Sequence, residues 1–242
     1  MRVVLIHALR HSQAPIEAAF ARSWPQASLA NLTDDSLAAD LAALVAQSPP
    51  TAGAPPQLYT PIQERFHTLS NYAVQDMQAD AILFTCSAFG GYIDAAARAV
   101  APVPVLKPNE AMLDDMVGLA KDASPSLPFV VALAATFAPT LDSMLEEIDA
   151  LVTSEDCHMR IVPVHVEGAL EALNKGNTVL HNELVATKLD LLLQSETVDA
   201  IALAQFSLAQ SAPLVESVTK KRVLTTPDSA VAALQRRLVG RR

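Results

Sequence analysis

The run Asp80-Ala81-Ile82-Leu83-Phe84-Thr85-Cys86 has a counterpart 119 residues later, Asp199-Ala200-Ile201-Ala202-Leu203-Ala204-Gln205. In both, an aspartate opens a short apolar run that ends on small or polar side chains. A run this short with no polar side suits a strand covered on both faces, as parallel strands between helices are. At the same offset, Pro108-Asn109-Glu110-Ala111 lies opposite Pro227-Asp228-Ser229-Ala230. One match would be chance. Two at a single offset, close to half the chain, are better explained by duplication, with two independent units of similar composition as the alternative.

Outward from these runs, short apolar strands alternate with helix-period segments. Val3–Ile6 reads as a strand, Pro15–Trp24 as a helix, Ser28–Leu32 as a weaker strand and Pro61–Met77 as a helix. Pro49, Pro50, Pro55 and Pro56 mark a loop between helices, because proline lacks the amide donor and restricts the residue before it. After Ala81–Phe84 come a helix over Tyr92–Val100, a strand over Val103–Leu106 and a helix over Asn109–Ala120. The pattern then restarts with strand Phe129–Leu133, helix Thr140–Leu151, strand Arg160–Val164 and helix Thr178–Gln194. Strands Ala200–Leu203 and Arg222–Leu224 and a helix from Asp228 complete it. Strands separated by helices in this way build parallel sheets from βαβ units. The fold class is therefore α/β, with two pseudosymmetric halves, 1–120 and 121–242, each a small parallel sheet flanked by helices. The last helix is placed to pack back on the first half. Ligands of such sheets bind outside the carboxyl ends of the strands, so the chemistry is expected in a cleft where equivalent loops meet.

Composition narrows the function. The chain has 242 residues, 51% of them hydrophobic and 18% charged, with mean hydropathy +0.26. This is too apolar for a disordered chain. The longest apolar stretch, around Phe129–Phe137, is far short of the ~20 residues of a membrane span, and Arg2-Val3-Val4-Leu5-Ile6 does not read as a leader. Seventeen basic against 26 acidic residues give a net charge of −9, which disfavours a general grip on nucleic acid. Two cysteines make no disulfide scaffold and suit a reducing cytoplasm. The expectation is a cytoplasmic protein acting on something small, without nucleic-acid or membrane partners.

Thr85-Cys86-Ser87-Ala88-Phe89-Gly90-Gly91 follows a central strand and enters a helix. A thiol at a helix N-terminus is acidified by free amides and the helix dipole, and Ser87 and backbone amides there can hold a carboxylate. A buried structural cysteine is the alternative. The matching loop reads Gln205-Phe206-Ser207, so the counterpart of Cys86 is an amide that exchanges no proton near neutral pH.

These features resemble the aspartate/glutamate/hydantoin racemase superfamily, cofactor-independent enzymes that include arylmalonate decarboxylase. The resemblance is carried by Thr85-Cys86-Ser87-Ala88-Phe89-Gly90, Ala135-Thr136-Phe137, Gly168-Ala169 through Gly176 to His181, and Asp199 to Gln205. It implies two pseudosymmetric α/β domains with the site between them. In the racemases one Cys from each half flanks the substrate α-carbon, one thiolate removing a proton and the other thiol supplying one. Cys86 matches the first of these positions and Gln205 falls on the second. Arylmalonate decarboxylase also keeps a single Cys, but in its second half.

The other candidates are substrate contacts. His7 ends the first strand, where family members carry a substrate-contacting polar residue; it is either a replacement base or a hydrogen-bonded structural histidine. Thr136 resembles a carboxylate-binding hydroxyl, with a helix cap as the alternative. Ala88, Phe206, Ser207 and Thr225 complete the expected substrate-binding set, Thr225 also being placed to cap the last helix. His165 and Glu167 lack a third metal ligand, Cys157-His158 reads as surface and His181 has no assigned role. With Gly only 7 of 242 and Gly90-Gly91 isolated, no dinucleotide fingerprint exists. Neither cofactor nor metal is expected.

Three functions follow. The first is a racemase-like isomerase acting at the α-carbon of a small carboxylic or amino acid, with Cys86 as acid or base. The second is a one-base lyase that decarboxylates a malonate-type acid. The third is a silent protein that binds small carboxylates. A homodimer is expected beside these.

Overall fold

The computed structural model describes residues 1–47, 58–123 and 127–239, apart from the side chains of residues 88, 139 and 143. The four prolines at 49, 50, 55 and 56 lie outside the described residues. Within them the chain forms two four-stranded parallel sheets.

The first sheet contains β1 (Arg2–His7), β2 (Ser28–Thr33), β3 (Ala81–Phe84) and β4 (Val105–Leu106), in the order β2-β1-β3-β4. Its helices are α1 (Gln13–Ser23), α2 (Leu37–Gln47), α3 (Thr60–Gln75) and α4 (Gly90–Ala99). The second contains β5 (Phe129–Ala135), β6 (Met159–His165), β7 (Ala200–Leu203) and β8 (Arg222–Thr225), in the order β6-β5-β7-β8. With it go α5 (Glu110–Asp122), α6 (Ala138–Glu155), α7 (Ala169–Asn174), α8 (Thr178–Leu193) and α9 (Ala212–Thr219), while α10 (Thr226–Val239) belongs from Ala230 onward to the unit of the first sheet. The two sheets thus repeat one strand order, in keeping with the 119-residue offset between the matched runs.

Register repeats too. Ile6 pairs with Leu32 and Phe84, while Ala134 pairs with Val164 and Leu203. Phe84 and Leu203 are the residues matched by the 119-residue offset, so Cys86 and Gln205 occupy equivalent strand-end positions.

Alternation along the strands decides what each face buries. On one face of the first sheet Val4, Ile6, Ile82 and Phe84 pack with Ile62 and Phe66 of α3 and Ile93 of α4. In the second sheet Ala134, Ile201 and Leu203 pack with Val185 and Leu189 of α8, and Val131, Leu133 and Ala202 pack with Met112 of α5 and Met144 of α6. Strands β3 and β7 are buried along their whole length, as their uninterrupted apolar runs imply.

The chain divides into Met1–Pro108 with Ala230–Arg242, and Asn109–Ser229. The division therefore falls after Pro108 and not after residue 120, because Met112, Leu113 and Met116 of α5 belong to the core of the second sheet. Two short helices were not expected, α7 and α9. Gly168, at φ +77°, stands just before α7 in a left-handed conformation that glycine adopts without steric cost.

No helix among the described residues is long and apolar enough to cross a membrane.

Candidate active site

At the carboxyl end of β3, Thr85 and Cys86 leave the sheet. Cys86 has extended backbone (φ −125°, ψ 122°) and caps a single 3-10 turn, Ser87–Phe89, which runs directly into α4. Its thiol is half-buried, is not in a disulfide, and packs against the core beneath α3 and α4. Ser87 is likewise half-buried, and Ala88 supplies backbone to the same turn.

An aromatic cluster holds this turn down. The Phe66 ring lies 5.1 Å from Phe84, 5.1 Å from Phe89 and 5.6 Å from Tyr92, centroid to centroid. Phe84 precedes the Thr85-Cys86 pair and Phe89 ends the turn, so both sides of Cys86 are anchored to one residue of α3. The Tyr92 hydroxyl accepts from the Tyr59 amide at 3.0 Å, which satisfies its polar end.

His7, at the end of β1, is fully buried. Asn31 of β2 donates from its amide nitrogen to Glu17 of α1 at 2.8 Å, which turns its oxygen toward His7 Nε2 at 2.9 Å. That nitrogen must then carry the hydrogen. Nδ1, 2.8 Å from Thr85 Oγ1, accepts from the threonine hydroxyl when the ring is neutral. Burial lowers the His7 pKa below its ordinary 6.5, against the opposing pull of the Asn31 hydrogen bond and the Glu17 charge. Both ring nitrogens are engaged inside the first unit.

Arg65 of α3 bridges Asp34 and Asp40, donating from Nε to Asp34 at 2.8 Å. The Asp34 hydrogen bond is the main cause that raises the Arg65 pKa. The guanidinium is thus charge-matched and fastens the segment after β2 to α3. Asn31, Glu17 and Arg65 escaped the sequence reading. A polar Asn inside a strand that pairs beside the apolar β1 was the one visible signal.

In the second unit, Gln205 Oε1 accepts from both the Thr136 amide, at 2.7 Å, and the Thr136 hydroxyl, at 2.9 Å. Thr136 therefore spends its donors on Gln205 rather than capping α6, whose cap residue is Phe137. The amide oxygen being held, it is the Gln205 NH2 group, two donors, that is left to turn elsewhere. Phe206 is buried and Ser207 half-buried in the 3-10 segment after Gln205, the Ser207 carbonyl accepting from Gln210. Thr225 caps α10, donating to the Asp228 carboxylate at 2.6 Å and accepting from its amide at 3.3 Å.

Elsewhere, His181 is fully buried and donates from Nδ1 to the Ala169 carbonyl at 2.8 Å. Cys157, expected at the surface, is buried next to Val117 and Ala120. Burial pushes its thiol pKa up, with Lys121 opposing. Among the described residues no group of three or more His, Cys, Asp or Glu side chains could hold a metal ion.

No family model matches the sequence, and no curated protein matches it. Solved structures do. Glutamate racemase from Francisella tularensis subsp. tularensis SCHU S4, in complex with D-glutamate, matches with TM-score 0.65 at 10% identity, over 99% of this chain and 81% of that one. Allantoin racemase from Klebsiella pneumoniae matches with TM-score 0.61 at 17% identity, over 99% and 88%. Unliganded arylmalonate decarboxylase matches with TM-score 0.54 at 15% identity, over 99% and 92%. Two like-ordered parallel sheets flanked by helices are thus a fold that this chain shares with these racemases and with arylmalonate decarboxylase.

Proposed function

We propose that this chain is a cofactor-independent enzyme that acts at the α-carbon of a small carboxylic or amino acid, with Cys86 as its acid/base. The observation that carries this reading is the placement of Cys86. A half-buried thiol follows the central strand β3 and enters the turn that leads into α4. Amides at such an entry favour the thiolate, and strand carboxyl ends are where open α/β sheets do chemistry.

The reaction then begins when the Cys86 thiolate takes the α-proton. The electron pair of the C–H bond passes into the carboxyl group as an enediolate, and Cys86 becomes S–H. Return of that proton to the same face restores the substrate; stereoinversion needs a second acid. Gln205 stands at the equivalent position in the second sheet and is an amide, with its oxygen held by Thr136. An amide supplies no proton at useful rates.

That same observation favours one-base chemistry as the second reading. From a malonate-type acid the C–C bond to one carboxylate breaks, carbon dioxide leaves, and the electron pair forms the enediolate. Cys86 S–H then protonates it on one face.

Both readings are tested by incubating the protein with single enantiomers of small amino and hydroxy acids and with substituted malonates, following optical rotation and carbon dioxide. Racemisation supports the isomerase, and carbon dioxide release lost in Cys86→Ala supports the lyase. A ligand that raises the melting temperature and is never turned over identifies a binding protein instead.

A further inference from the structure

The strand ends of the first sheet carry a polar column that the second sheet lacks. With the sheets matched by register, His7, Asn31 and Thr85 correspond to Ala135, Pro163 and Ala204. Ala135 and Ala204 are fully buried, in an apolar core with Leu133 and Met144. The fold therefore fills these places with methyl groups and a proline ring. Strand packing alone asks for no ionisable ring there, and burying one carries a desolvation cost. Local choices that work against simple packing cluster at functional sites.

Neighbouring residues of a strand point to opposite faces. Ile6, Phe84 and Cys86 face α3 and α4, so His7 and Thr85 face the α1 side. There Glu17, Asn31, His7 and Thr85 form one hydrogen-bonded line across α1, β2, β1 and β3. Residue 85 is held twice to β1: its amide donates to the Ile6 carbonyl at 3.1 Å and its hydroxyl meets His7 at 2.8 Å. It is the last such tie before the chain reaches Cys86.

We propose that His7, keyed by Asn31 and Glu17, is a positioning residue for Cys86, acting through Thr85 to fix the point at which β3 releases the thiol into its turn. The inference rests on the acid/base reading of Cys86. His7 itself does not touch substrate, because its ring is fully buried and both nitrogens are engaged. Thr85 transmits the constraint along the backbone, and the thiolate fraction of Cys86 depends on where the thiol sits against the turn amides.

The test is the pH profile of Cys86 alkylation by iodoacetamide, mapped by mass spectrometry, with Cys157 as the reference thiol in the same molecule. The double variant His7→Ala/Thr85→Ala copies the Ala135/Ala204 pair of the second sheet. In it the Cys86 rate near neutral pH should fall about tenfold, as it does when a reactive thiol becomes ten times less acidic and its thiolate fraction drops in proportion, while the Cys157 rate stays unchanged. Thr85→Ser should keep the original profile, and Thr85→Val, equal in shape but without the hydroxyl, should lose it. A Cys86 profile unchanged in the double variant overturns the inference. If the double variant does not fold, identical Cys86 profiles in Thr85→Ser and Thr85→Val overturn it equally. A parent protein in which Cys86 reacts no faster than Cys157 overturns the acid/base reading itself, and the inference with it.

Discussion

Replacing Phe66 by alanine tests whether the aromatic cluster is what holds the Cys86 turn. Phe66 is 1% exposed and lies within 5.6 Å, ring to ring, of Phe84, Phe89 and Tyr92. Truncating a buried phenylalanine costs about 3–5 kcal/mol through lost transfer energy and the cavity left behind. Each aromatic contact adds about 0.5–1.5 kcal/mol beyond buried area, which places Phe66 toward the upper end of that range. The unit that contains it has about 120 residues. At ~2.1 cal/mol/K of unfolding entropy per residue, the melting temperature of that unit should fall by roughly 12–20 °C. Calorimetry and urea titration measure the global loss. Cys86 alkylation below the melting range measures the local one, which should change because Phe89 loses the ring it leans on. A loss under ~1 kcal/mol would show that the cluster collapses around the gap and that Phe66 is no anchor.

The remaining predictions concern caps, pairs and protons. Asn177 accepts from the Leu180 amide at the start of α8, so Asn177→Ala should cost about 1 kcal/mol in urea titration, and an unchanged midpoint would mean the cap contributes nothing. Thr136→Val removes the hydroxyl donor to Gln205 Oε1 and leaves the backbone one; it should cost about 1 kcal/mol and loosen the Gln205 side-chain amide, visible as a shifted nitrogen–proton NMR signal. His7 has a folded pKa below its ordinary 6.5, so the unfolded chain binds that proton first as pH falls. Its stabilising share is whole above 6.5 and is lost from there down to the depressed folded value. Urea midpoints of His7→Ala should therefore lose part of the parent's acid sensitivity below 6.5, and equal slopes would contradict the buried neutral ring.

What the sequence disclosed, and what it hid, follows from the range of each interaction. Ala81–Phe84 and Ala200–Leu203 were readable because a parallel strand covered on both faces leaves its whole pattern in a few consecutive residues. The match of Cys86 to Gln205 was readable because duplication preserves spacing, and the strand registers repeat it. The short helices α7 and α9 left too few turns for a period to emerge. Cys157 sits among charged neighbours in sequence yet is buried, because its local composition says nothing of the Val117 and Ala120 packed on it from α5. The line from Glu17 through Asn31 and His7 to Thr85 joins four elements laterally. Nothing along the chain announces such a line, since it depends on which strands become neighbours. Thr136 reads in sequence as a carboxylate-binding hydroxyl or a helix cap, and its partner in the structure is Gln205, 69 positions away.

The measurement that bears most directly on Cys86 as acid/base is hydrogen–deuterium exchange at the substrate α-carbon. A panel of small carboxylic and amino acids would be incubated in deuterated water with the parent protein and with Cys86→Ala, and followed by proton NMR. One-base chemistry exchanges the α-proton whether or not configuration changes, so no product need be assumed. The account predicts that at least one acid takes up deuterium with the parent protein and that uptake falls to the uncatalysed rate in a folded Cys86→Ala protein. Uptake that continues in Cys86→Ala at the parent rate would contradict it.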